Sequence, residues 1–369
     1  MNVEVRPQAA PAAMTKLAIA DCDTHPVLPH LSHLDRWLPQ RWRDYIATYG
    51  MSQRQGHQNG VNPYPKAQPN AARRDSWPPG GGAPGTDLDF MRQQYFEPLG
   101  VHFAVINPLT PSGEGFANPY LSAAMCRATN EWQAHDLVAK EPRFRASICV
   151  PYEDTAAAVA EIERCAGRPE FCQVLILGRT GEPLGAKRYR RIFAAAAAVG
   201  LPVSIHAFGY SGAPVTPAGW PSFYIEEMTG HAQAAQAQVA SMVVEGLFEE
   251  HPSLKVLMVE AGFAWLPPLA WRLDRNWKLL RQETPHLRLS PSEYIHRNIW
   301  LTTQPMEEPE PREQLLDTIG WIGWDRLLFA TDYPHWDFDD PGQVLPVRVD
   351  AKDRERFFIG NAREVYGFS

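Results

Sequence analysis

The sequence predicts an α/β protein built as a (β/α)8 TIM barrel with a long insertion between strands one and two. Short β-branched runs alternate with helical segments along most of the chain, which implies parallel strands joined by right-handed crossovers. Eight such runs occur, apolar on both faces, as strands covered by helices must be. No G-x-G-x-x-G follows the first run, so an open dinucleotide-binding sheet is the poorer account.

The strands are expected at 17–22 "LAIADC", 102–107 "HFAVIN", 145–150 "RASICV", 173–177 "QVLIL", 202–206 "PVSIH", 255–260 "KVLMVE", 299–303 "IWLTT" and 327–331 "LLFAT". Helices are expected at 120–140, 154–166, 186–199, 230–250, 262–282 and 307–319. Residues 1–15 read as a flexible tail and 16–369 as one barrel. Within it, 51–89 is rich in Gly, Pro, Asn and Gln, cannot supply a core of its own, and reads as a loop or lid.

Bulk composition narrows the function. The chain has 369 residues, with 35 basic and 42 acidic side chains and a net charge of −7. With no basic run, neither nucleic acid nor an anionic membrane is an expected partner, which leaves a small molecule. No stretch reaches the ~20 apolar residues of a membrane span. The N-terminus lacks an apolar signal core, and the five cysteines form no C-x-x-C pair, which together fit reduced thiols in the cytoplasm.

In a barrel of this kind the active site lies at the C-terminal ends of the strands. Those ends carry Asp23 and His25 on strand one, His206 on strand five, Glu260 on strand six and Asp332 on strand eight. Alternation along a strand points Asp21, Asp23 and His25 the same way. Asp23 and His25 can therefore grip one ion, with His206 and Asp332 closing the site across the mouth. Two imidazoles and two carboxylates suit one divalent cation, zinc or manganese.

"DCDTH", "SIHAFG", "FEEHPSLKVLMVEAGFAWLP" and "RLLFATDYPHWD" together resemble the amidohydrolase-2 branch of the amidohydrolase superfamily, which includes the aminocarboxymuconate-semialdehyde decarboxylase relatives. The resemblance implies a metal-dependent (β/α)8 enzyme acting on amides, lactones or carboxylated rings. It makes His25 the second histidine of the first-strand H-x-H, with Asp23 in place of the first. It makes His206 and Asp332 the ligands of strands five and eight. Decarboxylases of the branch resemble "HGGG" at strand six, where this chain has "VEAGFAW" and hence Glu260.

That replacement makes metal-assisted hydrolysis of a small carbonyl substrate the leading expectation. Bound water would be activated by the ion, its pKa falling from about 15.7 toward roughly 7, with Glu260 or Asp332 taking the proton. The alternatives are non-oxidative decarboxylation of an aromatic or unsaturated acid, and a barrel that only binds a ligand. His231, in the first turn of its helix, is expected to face the mouth as a proton donor or substrate ligand. Arg179, after strand four, is weighed between pairing with a substrate carboxylate and an ordinary surface position, the latter being the stronger expectation. Phe208, Tyr210, Trp265 and Trp336 are expected as an apolar wall. His335 is expected to hydrogen-bond the ligand shell and border the substrate. The aromatic helix "GFAWLPPLAWRLDRNWKLLRQE" and the habit of the branch point to a homodimer.

Overall fold

The computed structural model describes residues 18–51, 69–109, 112–209 and 214–368. The expected N-terminal tail, residues 52–68 of the insertion, and Tyr210 lie outside the described residues. The eight strands are β1 (Ile19–Thr24), β2 (Val101–Ile106), β3 (Phe144–Cys149), β4 (Phe171–Arg179), β5 (Val203–Gly209), β6 (Val256–Val259), β7 (Ile299–Thr302) and β8 (Leu327–Leu328). They lie in sequence order, every neighbouring pair parallel. The β8–β1 seam is bridged by backbone bonds from Cys22 to Phe329, from Asp332 to Asp23 and from His25 to Tyr333. The result is a nearly closed (β/α)8 barrel.

The strands are apolar on both faces because each face meets a different layer. Ala20, Cys22, Leu257, Val259 and Leu328 pack together with Ile359, Ala362 and Val365, the last two on the C-terminal helix Asn361–Tyr366. The opposite faces, including Val174, Ile176, Val203 and Met258, join Ile162, Ile192, Phe193 and Val239 of the surrounding helices. Each such side chain contributes roughly 1.5–3 kcal/mol by burial.

Helices fall close to their expected places, with two instructive exceptions. The helix expected from 230 begins seven residues before His231, as Tyr224–Val244. The Glu226 carboxylate accepts the backbone N–H groups of Ser222 and Phe223 and caps the earlier start. The helix expected from 307 begins only at Glu313. Pro309 and Pro311 in "EEPEPRE" remove donors and disfavour helical backbone at the residues before them.

The described half of the insertion lies over the rim rather than away from it. Arg73 donates its backbone N–H to Pro334, Trp336 donates to Ala71, and Val27 donates to Gly85. All five cysteines are buried and unpaired. Among the described residues, no helix is long and apolar enough to cross a membrane.

Candidate metal centre

Five acidic and imidazole side chains from four strand ends converge at the barrel mouth. His25 Nε2 lies 3.1 Å from Asp23 Oδ1 and 2.9 Å from Asp332 Oδ1. His206 Nε2 lies 3.3 Å from Asp23 Oδ2 and 3.1 Å from Glu260 Oε2. Asp23, His25, His206 and Glu260 each bring one ligand atom within 4.8 Å of the others. All five residues are buried.

The hydrogen bonds on the far side of each ring show why this arrangement suits a cation. His25 Nδ1 lies 2.7 Å from the Asn107 carbonyl, and His206 Nδ1 lies 2.7 Å from the Ala207 carbonyl. A carbonyl only accepts, so each Nδ1 carries a proton; in its neutral form each ring then turns its Nε2 lone pair toward the carboxylates. Lone pairs facing anionic oxygens at about 3 Å repel unless positive charge stands among them. Asp23 Oδ2, His25 Nε2, His206 Nε2 and Glu260 Oε2 are all buried without a hydrogen-bond partner. A divalent cation satisfies the Asp23, His25 and His206 atoms, so this donor set fits a single metal ion.

Positive charge is equally favoured on the ring itself. Although burial opposes it, Asp23 and Asp332 push the His25 pKa well above the ordinary imidazole value. Burial also opposes ionisation of Asp23, yet His25 and His206 hold its carboxyl far below the usual range. Glu260 goes the other way: burial, then Asp332, Asp337 and Asp23, push its pKa well up.

Residues outside the expected set hold the cage in place. Asn107, at the end of β2, donates its amide to Asp23 Oδ1 at 2.8 Å. Its Oδ1 accepts from Ser147 Oγ and Gln173 Nε2, each at 2.9 Å, so the amide cannot be turned round. Gln304 donates to Asp332 Oδ2 at 3.2 Å. The one available signal was position, since Asn107 directly follows the second strand; the "IN" dipeptide carries no pattern of its own. His335 Nδ1 lies 2.6 Å from Asp332 Oδ1, and its ring stacks on His25 at 4.4 Å.

Backbone strain aims three of the side chains. Phe208, Glu260 and Asp332 all adopt positive φ, 74°, 55° and 62°, at the ends of their strands. Such conformations cost roughly 1–3 kcal/mol each and persist where the surroundings enforce them. At β6 the support is Glu307, whose Oε1 accepts the N–H groups of Phe263 and Ala264 and secures the turn after Glu260. Gly262, with φ of 61°, leaves room for that carboxylate.

Several expectations need correction. Asp21 does not share the face of Asp23 and His25, because the pairing with β2 shifts register between Asp21 and Thr24 and breaks the alternation. Asp21 instead accepts from Tyr95 Oη and from the backbone and hydroxyl of Thr331, tying β1 to the β8 segment. His231 is not in a first helical turn. It is buried, its ring 4.5 Å from that of Phe208, in a recess shared with His206. Arg179 is not a surface residue; its side chain is 9% exposed and pairs with Glu227 at 3.3 Å. Trp265 is no part of that recess: its indole N–H is held by the carbonyls of Ala261 and Gly262, and it packs in the core. Trp336 sits at the rim, partly exposed, near Tyr224.

Fold and site together define a barrel with one buried cation cage at its mouth. The chain belongs to the amidohydrolase family, whose model matches residues 20–368, and it is an enzyme of that superfamily. It is 24% identical over 290 residues to a gamma-resorcylate decarboxylase of Polaromonas sp. (strain JS666 / ATCC BAA-500), covering 76% of this chain and 87% of the relative. It is also 24% identical over 298 residues to a gamma-resorcylate decarboxylase of Rhizobium sp. (strain MTP-10005), with the same coverage. Among solved structures, 5-carboxyvanillate decarboxylase from Sphingomonas paucimobilis superposes with a TM-score of 0.69 at 20% identity, covering 96% of this chain and 100% of that one. Dihydroxybenzoic acid decarboxylase from Polaromonas sp. JS666, with bound manganese and the inhibitor 2-nitroresorcinol, gives a TM-score of 0.65 at 18% identity, covering 96% and 97%. At such identities the structures establish the fold alone.

These findings overturn the hydrolytic expectation, since the matching curated relatives named here are decarboxylases. Burial and neighbouring carboxylates also push the Glu260 pKa up, away from the ionised form that a general base for water needs. Of the two metals expected, manganese is the one carried by related decarboxylase structures; nothing supports zinc.

Proposed function

We propose that this chain is a metal-dependent, non-oxidative decarboxylase of an aromatic carboxylic acid. The observation that carries the proposal is the cage itself: converging unpartnered ligand atoms beside the buried Glu260 carboxyl, in a chain whose relatives are decarboxylases. Asp23, His25, His206 and Asp332 would hold the ion, and their mix of carboxylate and imidazole suits manganese. When bound, the ion would supply positive charge that attracts a substrate carboxylate to the mouth.

Glu260 is the proton donor in this reading. Its carboxyl delivers H⁺ to the ring carbon that bears the carboxylate, and a ring π pair forms the new C–H bond. The C–C bond to the carboxylate then breaks, its electron pair restores the aromatic ring, and carbon dioxide leaves. Glu260 remains as the carboxylate until solvent returns a proton. Nothing is oxidised. His335 holds Asp332 in register, Asn107 does the same for Asp23, and Phe208 offers an apolar face to the ring.

The test is carbon dioxide release by the manganese-loaded protein over a panel of aromatic acids. Glu260→Gln should retain manganese and lose about a hundredfold or more in rate, the range for a missing general acid. Cleavage of amides or lactones without carbon dioxide release, or full activity in Glu260→Gln, would refute the assignment.

A further inference from the structure

A file of polar side chains runs through the inside of the barrel and ends on the cage. Tyr366, the last residue of the helix Asn361–Tyr366, donates its hydroxyl to Gln173 Oε1 at 3.0 Å. Gln173 Nε2 donates to Asn107 Oδ1 at 2.9 Å, and Asn107 Nδ2 donates to Asp23 Oδ1 at 2.8 Å. Ser147 braces the middle, since its Oγ donates to Asn107 Oδ1 and accepts from Gln173, each at 2.9 Å. Ser147 and Gln173 alternate with Ile148 and Val174, which face the surrounding helices, so both point into the barrel. Asn107, Ser147 and Gln173 are all fully buried. Gln173 is the third residue of β4, whereas Asn107 follows the end of β2. The file therefore spans the barrel from the end opposite the mouth to the mouth itself.

Chemistry fixes the direction of every link. Asp23 is held ionised and only accepts, so Asn107 must turn its NH2 toward it and its Oδ1 toward Gln173. Gln173 must then present its NH2 to Asn107 and its Oε1 to Tyr366, which leaves the Tyr366 hydroxyl as the donor. The Cys22 thiol also lies beside that hydroxyl, but sulfur accepts only weakly. Burial, then Cys22, Cys172 and Asp23, push the Tyr366 pKa well up, so the proton stays on the oxygen. Phe368 stacks on Tyr366 at 5.0 Å and on Phe103 of β2 at 4.7 Å. Ala362 and Val365 of the same helix pack among the inward side chains of β1, β6 and β8. The hydroxyl is thereby held at a fixed depth in the barrel.

We infer that Tyr366 is a positioning residue of the metal centre, acting through Gln173 and Asn107 on Asp23 from the far end of the barrel. Donors in series all point toward one carboxylate, and each polarises the next. An amide cannot hand a proton on without rearranging its bonds, so the file conveys orientation and partial charge rather than protons. Without the hydroxyl, Gln173 Oε1 becomes a buried acceptor with no donor, and its amide is free to turn away from Asn107. Asn107 then keeps Ser147 but loses the second donor that locks its own amide over Asp23. Because Tyr366 acts on the metal centre, its role holds whatever reaction that centre performs.

Titration of metal-free protein with Mn²⁺, read by electron paramagnetic resonance of the free ion, tests this without any need for turnover. Tyr366→Phe removes one oxygen and keeps the ring. Its manganese affinity should fall about three- to tenfold, short of the roughly 10–100-fold carried by a group that touches a ligand directly. In an Asn107→Ala background the same substitution should change nothing, because the link to Asp23 is already cut. Gln173→Met is the second arm and does not depend on Tyr366→Phe folding. It severs the file at its middle, should weaken manganese binding at least as much, and should add nothing in the Asn107→Ala background. Unchanged affinity in either folded single variant overturns the inference. So does an equal loss with and without Asn107, which would place the effect in packing. Should the pattern appear with no carbon dioxide released from any acid, the decarboxylase reading fails and the role of Tyr366 stands. Carbon dioxide release without the pattern fails the role of Tyr366 alone, and a parent protein that takes up no manganese removes both.

Discussion

Asn107→Ala is the sharpest probe of how the cage is built, because Asn107 sits outside the ligand set. The substitution removes the 2.8 Å bond to Asp23 Oδ1 and strands Ser147 Oγ and Gln173 Nε2, both of which gave their protons to Asn107 Oδ1. The Asn107 backbone carbonyl remains, so the tautomer of His25 is untouched. Groups that orient a metal ligand typically account for about 10–100-fold in affinity. Manganese should therefore bind about 10–100-fold more weakly, equivalent to about 1.4–2.7 kcal/mol. Gln173 Nε2 still donates to Ser147 Oγ, so the stability loss should stay near 1–3 kcal/mol and the barrel should remain folded. Titration of metal-free protein with Mn²⁺, followed by electron paramagnetic resonance of the free ion, reads the affinity. Circular dichroism verifies the fold. Unchanged manganese affinity in a folded Asn107→Ala protein would refute the claim that this amide positions Asp23.

The remaining predictions follow from the same geometry. Elemental analysis of His206→Ala and Asp332→Ala should find manganese lost from both; equal, low content in the parent and both variants would remove the metal site. His231 has its pKa lowered to about 3 from an ordinary value of 6.5. The unfolded chain thus binds a proton near pH 6.5 that the folded chain refuses, and stability falls as pH drops through that window. By pH 5 the loss is about 2 kcal/mol, and His231→Gln should show a correspondingly shallower acid dependence in urea denaturation; parallel curves for the two proteins would contradict the buried neutral imidazole. Gly262→Ala should destabilise by about 1–3 kcal/mol, since φ of 61° is strained for alanine and its Cβ meets the Glu307 carboxylate. A melting temperature unchanged in that variant would show that the turn after Glu260 tolerates a side chain.

How much of this was legible in the residues varies with the range of the physics involved. Strand and helix alternation is local, written into β-branched runs and helical spacing, and all eight strands fall where the runs are. The exceptions are also local in origin: Pro309 and Pro311 delay one helix, and Glu226 starts another early. The ligand candidates were readable because barrel topology converts strand ends into a common rim. Hydrolysis over decarboxylation was misjudged for a different reason. A glutamate in a sequence carries its ordinary acidity, while burial, then Asp332, Asp337 and Asp23 brought from elsewhere in the chain, raise the pKa of Glu260.

The sequence by itself determined the barrel, the strand ends that meet at its mouth, and the residue types available to hold an ion, because these depend on short-range propensity and a repeated unit. Tertiary structure alone decided which neighbours each polar group would meet. It turned Asp21 outward to Tyr95 and Thr331 through a shift of strand register, and it brought Asn107 beneath Asp23 across one strand pair. It also sank His231 and Arg179 into one recess and paired Arg179 with Glu227. Hydrogen bonds and charge interactions act over a few ångströms in space, irrespective of separation along the chain, so no spacing in the sequence records them.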